Sequence, residues 1–215
     1  MLQQTSRPKY YNFEQQQVVA EEGERAFCNY MGYLKRKNMV RLWEDVTLMP
    51  DYQAKDIDFV VTMPDGEKVC WEVKCDTYTT GNLFAETMVN SYYLTETGCV
   101  RASRHTQGWI YKSCADMIFY YFSNLHVAYL FPRKDFCFWL DKSIAAKRPP
   151  YFRISAAPNK NNREDMEIYY GVGLLIPLRL LDTDPEIHDK VQVIPHEQML
   201  PQPKFIVPVF KCAKK

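Results

Sequence analysis

The turn Pro64-Asp65-Gly66, set between strand-forming stretches at 55–63 and 68–75, constrains this chain more than any other feature. Proline suits the second position of a type I turn, and glycine adopts the positive φ that closes such a turn with a bulge. The loop is then three residues long, Met63 faces Glu67, and the register of the whole hairpin follows. Asp58 falls opposite Glu72, and Asp56 opposite Lys74. Opposed residues share a sheet face with Cβ atoms ~5 Å apart, and residues two apart on one strand share it too. One face therefore gathers two or three carboxylates and an ammonium. Ile57, Phe59, Val61, Trp71 and Val73 line the other, which can pack on a helix. A two-residue Asp-Gly loop would shift the register by one and put Asp58 and Glu72 on opposite faces.

Adjacent carboxylates repel, and at neutral pH they are tolerated mainly with a cation between them. Hard oxygen donors select Mg2+ or Mn2+. Such a metal polarises a phosphoryl oxygen and acidifies a bound water. A neighbouring lysine orients that water or stabilises the developing charge. Together the groups suit metal-assisted hydrolysis of a phosphodiester. Taken singly, D-x-D and E-x-K are ordinary on a solvated strand face, where they make cross-strand ion pairs; their in-register combination carries the inference. No Walker P-loop, G-x-G-x-x-G, G-x-S-x-G or H-E-x-x-H occurs, so nucleotide, serine-hydrolase and zinc-protease readings have no anchor.

Lys and Arg number 27 against 26 Asp and Glu, a net charge of +1. That excludes a globally basic nucleic-acid binder and permits a local basic groove. No apolar run approaches the ~20 residues of a membrane span, and the first residues lack the apolar centre of a signal peptide. The seven cysteines are odd in number and form no C-x-x-C, which suits a reducing compartment. The expectation is a soluble cytoplasmic protein with no membrane partner.

Residues 1–13 read as an arm and 14–37 as a helix with a basic last turn. Residues 40–48, 55–63, 68–75 and 82–89 read as strands, the last with mixed character. Residues 90–108 read as a loop, 113–123 as a helix, 126–131 as a strand and 134–146 as a helix ended by Lys147-Arg148-Pro149-Pro150. Seven of the 13 prolines lie in 151–215, where short strands and loops covering one edge of the main domain are expected.

Asp58 followed by Glu72-Val73-Lys74 resembles the signature of the PD-(D/E)xK nuclease superfamily, which has the restriction-endonuclease-like fold. Over residues 14–135 the helix, strands and later strand–helix pattern resemble its αβββαβ core. Ile57 stands where the family often has proline. Thr80-Gly81-Asn82 with Glu86, and Gly108-Trp109-Ile110 leading to Ser113-Cys114-Ala115-Asp116, are similar to segments of phage and restriction-type members. The resemblance implies an α/β fold with a mixed central sheet flanked by helices: a nuclease-like core at 1–150 and a C-terminal strand and loop extension at 151–215.

By position, the resemblance implies Asp58, Glu72 and the Val73 carbonyl as ligands of Mg2+ or Mn2+, with Lys74 as the catalytic lysine. Family members often add an acid from the first helix. Glu24, in line with Ala20, Phe27, Met31 and Leu34, is the first candidate; Glu21 and Glu86 are the alternatives. The implied substrate is DNA. A monomer would nick it, and a homodimer could cut both strands. Lys112 and Ser113, at the expected helix start, are candidates to hold a phosphate, though Ser113 reads equally as a cap with Asp116. Arg101 and Arg104 are candidates to grip the backbone from a polar loop. The competing reading is a catalytically silent module of the same fold that binds DNA or protein.

Overall fold

The computed structural model describes residues 13–94, 100–146, 153–160 and 167–201. Most of the expected N-terminal arm, Gly98 and the expected break at 147–150 lie outside the described residues. The chain opens with helix α1 (Phe13–Arg36). Lys35 and Arg36 lie in its last turn, where the helix dipole favours cations. Asn38 then takes a left-handed φ of 57°, and the Met39 N–H returns to the Leu34 carbonyl at 3.0 Å, which closes the helix.

A six-stranded mixed sheet forms the centre. Its members in chain order are β1 (Leu42–Asp45), β2 (Phe59–Thr62), β3 (Lys68–Asp76), β6 (Met117–Phe122), β7 (Val127–Pro132) and β10 (Gln192–Pro195), and they lie side by side in that order. Strands β3 and β6 are parallel; the other neighbours are antiparallel. The crossover from β3 to β6 holds β4 (Asn82–Leu94), β5 (Val100–Gln107) and the one-turn helix α3 (Trp109–Lys112). Strands β4 and β5 join β8 (Arg153–Lys160) and β9 (Glu167–Pro177) in a second, antiparallel sheet of order β5-β4-β9-β8. Helix α2 (Pro50–Gln53) precedes β2, α4 (Arg133–Ala145) follows β7, and α5 (Leu178–Thr183) follows β9.

Strand alternation sorts the central side chains onto two faces. Phe59, Val61, Trp71, Phe119 and Leu130 pack against Phe27, Tyr30, Met31 and Leu34 of α1. The Phe27 ring lies 4.6 Å from Phe59 and 5.3 Å from Trp71, centroid to centroid. Gly23 lets α1 approach closely: a Cβ there would stand 2.7 Å from Cys75 Cβ. Val60, Ile118, Tyr120, Phe122 and Phe131 turn to the other face. They meet Phe136, Trp139 and Leu140 of α4, Leu181 of α5, and Leu83, Ala85 and Ile176 of the second sheet. Each fully buried side chain of this kind contributes about 1.5–3 kcal/mol through the hydrophobic effect.

The hairpin turn is the expected one. Gly66 has φ 95°, its N–H donates to the Met63 carbonyl at 3.0 Å, and the Met63 N–H donates to the Glu67 carbonyl at 2.8 Å. Phe59 to Thr62 pair with Trp71 to Lys68 in the anticipated register. Helix α1, strands β3 and β7, and helix α4 lie close to their expected positions.

Three expectations fail. Residues 113–123 are not a helix: 113–116 are an irregular connection and 117–122 are β6. The run Met-Ile-Phe-Tyr-Tyr-Phe is apolar on both faces because β6 lies between two strands inside the molecule, so it shows no period of two. Residues 90–108 are not a loop, since β4 continues to Leu94 and β5 occupies 100–107. β5 is an edge strand of mainly polar composition, which hides it from a hydrophobicity pattern. Asp56 lies in the turn after α2 with φ 49°, not on a strand opposite Lys74. No described helix is long and apolar enough to cross a membrane.

Candidate active site

The regular β2–β3 ladder ends one residue short of Asp58. Phe59 pairs with Trp71, and the Asp58 N–H also donates to the Trp71 carbonyl, at 2.9 Å. Two residues thus oppose one, which is a β-bulge and re-aims the side chain. Asp58 Oδ2 accepts the Val73 N–H at 2.7 Å, standing in for a ladder partner. The N–H and C=O of a strand residue point to the same side, so the Val73 carbonyl is directed to this open edge as well. The bulge also corrects one expectation: Ile57 packs with Val60, on the face opposite Phe59.

Glu72 and Lys74 project from the face of β3 opposite α1, the side on which Cys70 packs. Glu72 is 1% exposed. Its Oε1 accepts from the Lys74 ammonium, while its Oε2 is buried with no hydrogen-bond partner. Burial pushes the Glu72 carboxyl up to about 7; Lys74 opposes the rise, and the charges of Asp58 and Asp56 add to it. Burial and the charges of Asp56 and Asp45 likewise raise Asp58, against Lys74 and the Val73 N–H. Lys74 is about one-third exposed. Desolvation works to lower its pKa, but Glu72, Asp58 and Asp56 together outweigh it and hold the ammonium above the usual lysine value. The ammonium lies 5.7 Å from the centre of the Trp109 ring, a cation–π contact.

The other expected residues take varied places. Glu24 is half-buried on α1, its carboxyl raised by desolvation and then by the charges of Asp58, Asp45 and Glu21. The charges acting on Glu72 are those of Lys74, Asp58 and Asp56. The charge of Asp58 is therefore common to both surroundings. Lys112 ends α3 and pairs with Asp56 at 2.8 Å. Ser113 follows that helix and starts none. It is buried, its hydroxyl donating to the Asp56 carbonyl at 3.0 Å and accepting the Ala115 N–H at 3.1 Å. Arg101 and Arg104 run within β5, opposite Tyr93 and Ser91, instead of in a loop; their side chains fall outside the described part of the structure. Glu86 of β4 accepts the Trp109 main-chain N–H and feels the charges of Lys74 and Asp56.

Among the described residues, no three His, Cys, Asp or Glu side chains gather as a metal cluster. The residues at the bulge nevertheless fit a small, hard divalent ion. One oxygen of the buried Glu72 carboxylate lacks a partner, the charge of Asp58 acts on that carboxyl, and the Asp58 carboxylate is itself held at the Val73 N–H. Mg2+ commonly takes only one or two carboxylates and completes its shell with waters and phosphate oxygens. Trp109 lies against Lys74 and Gly171 against the Glu86 side chain, neither having been singled out for such a place. Their only signals are an indole just after Gly108 and the pattern Gly171-Val172-Gly173 inside a strand of large residues. Comparison with protein-family models, curated proteins and solved structures finds no match in any of the three.

Proposed function

We propose that this chain is a metal-dependent nuclease of the PD-(D/E)xK kind that hydrolyses DNA phosphodiester bonds. The observation that carries the reading is Glu72: a buried carboxylate with one oxygen on Lys74, the other unpartnered, and Asp58 close enough to repel it. The order α1, β1, β2, β3 and then β6 parallel to β3 is compatible with a restriction-endonuclease-like core. One departure is that the crossover is the β4–β5 hairpin with α3, whereas α4 comes only after β7.

Asp58 and Glu72, with the Val73 carbonyl, would hold Mg2+ or Mn2+. When bound, such an ion neutralises phosphate charge and acidifies a water. Lys74 keeps its proton through its carboxylate neighbours, so its ammonium is available to orient the attacking water or to meet charge developing on the phosphate. Asp58 is fixed by the Val73 N–H and so keeps one oxygen engaged and one for a ligand. Lys112 and Arg101 with Arg104 remain the candidates for phosphate contacts.

The test incubates the protein with supercoiled plasmid and with a labelled linear duplex in Mg2+, Mn2+ or EDTA, beside Glu72→Ala and Lys74→Ala. Metal-dependent cleavage lost in both variants is the expected result. Asp58→Asn should abolish cleavage and leave DNA affinity intact or raised, because it removes negative charge near phosphate. The absence of a three-ligand cluster among the described residues favours a second reading, a silent DNA-binding or protein-interaction module. Binding without cleavage in every lane would select it.

A further inference from the structure

Lysine is a point charge on a flexible four-carbon stem, so its position must be imposed by its surroundings. Around Lys74 those surroundings come partly from the second sheet. Strand β4 carries a bulge: Glu86 pairs with Gly173 and Met88 with Val172, leaving Thr87 extra. Gly108 seats against this bulge, its N–H donating to the Thr87 carbonyl at 3.0 Å. A Cβ at 108 would overlap the Glu86 main chain. The seat brings the Trp109 N–H onto the Glu86 carboxylate. On the neighbouring strand β9, a Cβ at Gly171 would fall on Glu86 Oε1. Two glycines thus make the space in which one carboxylate reaches one backbone donor. The Trp109 indole carries Lys74 at 5.7 Å and meets the Tyr120 ring at 6.1 Å. Tyr120 is itself pinned, its hydroxyl donating to Asp76 Oδ2 at 3.1 Å and accepting the Phe84 N–H at 3.3 Å.

We infer that Glu86, seated over Gly171 and bonded to the main chain of Trp109, is a positioning residue that sets the indole as the platform for the Lys74 ammonium. Its consequence for catalysis rests on the nuclease reading; the packing relation does not. Glu86 acts through Trp109, and Gly171 acts through Glu86. Strand β9 thereby becomes part of the lysine's support, although it contributes no side chain at that point.

The experiment measures the rate of reductive methylation of Lys74 by formaldehyde and borohydride at fixed pH, read by peptide mass spectrometry, together with plasmid nicking and DNA affinity. Gly171→Ala and Glu86→Ala should each raise Lys74 methylation several-fold and lower the cleavage rate at least tenfold, with the DNA Kd within twofold. Glu86→Gln keeps an acceptor for the Trp109 N–H and should retain the protection of Lys74. The double variant should be no worse than Glu86→Ala alone, since the clash at 171 vanishes with the carboxylate. Unchanged methylation in the folded alanine variants, or additive effects in the double variant, overturns the inference. If Gly171→Ala does not fold, the contrast between Glu86→Ala and Glu86→Gln decides. A methylation response in a protein that cuts no DNA sinks the nuclease reading and leaves the platform standing.

Discussion

Glu72 holds its proton to about pH 7, whereas an unfolded glutamate releases it near 4.5. Between those values the folded state binds more protons, so stability falls as pH rises. Glu72 alone makes this loss on the order of 3 kcal/mol. The raised carboxyls of Asp58 and Glu24 act in the same direction. A divalent ion held at the proposed site would reverse the effect by favouring the ionised pair. Thermal melts from pH 5 to 8.5 should therefore show little stabilisation by Mg2+ at pH 5 and a growing one as pH passes about 7. A Mg2+ effect independent of pH would remove the carboxylates from the ion's surroundings. At this scale, the placement of Glu72 and Lys74 together on one strand face was legible, because a three-residue turn sets the register of β2 with β3. The bulge at Asp58 was not, because an inserted residue leaves no mark on composition and shows itself only when Ile57 packs on the wrong face. Ser113 was misplaced for a related reason: its hydroxyl serves contacts to Asp56, 57 residues away.

Among the elements, the β2–β3 hairpin depends on its turn, and α1 depends on Gly23. Gly66→Ala meets no atom within 4 Å, so its cost is backbone strain alone, about 1–2 kcal/mol. Chemical denaturation should show that loss, with cleavage per folded molecule unchanged. Gly23→Ala is different in kind, because the new methyl meets Cys75 Cβ and must push α1 from the sheet. A loss of about 1–3 kcal/mol is expected, accompanied by weaker Mg2+ stabilisation if Glu24 contributes to the site. Helix α1 was readable from its basic last turn and the line of Ala20, Phe27, Met31 and Leu34, and α4 from the prolines that follow it. Strand β6 was not, since burial on both faces erases alternation, and β5 was not, since an edge strand needs no apolar face.

In the whole molecule, the second sheet draws on β4 and β5 and also on β8 and β9, and β10 closes the far edge of the central sheet against β7. Residues 1–150 alone would leave Leu83 and Ala85 uncovered and expose unpaired strand edges on β4 and β7. That fragment should aggregate or unfold without a cooperative transition; a sharp calorimetric transition in it would contradict the packing described.

The Thr87 hydroxyl donates to the Val172 carbonyl across 85 residues of chain. At roughly 5–20 residues per second on the ribosome, the stretch around Glu86 waits on the order of 4–17 s for its partner strand to be made. The lysine on β3 is synthesised early, yet its surroundings are completed among the last, so a polypeptide interrupted between the end of β3 and β9 carries every proposed catalytic side chain but not the setting that orients them.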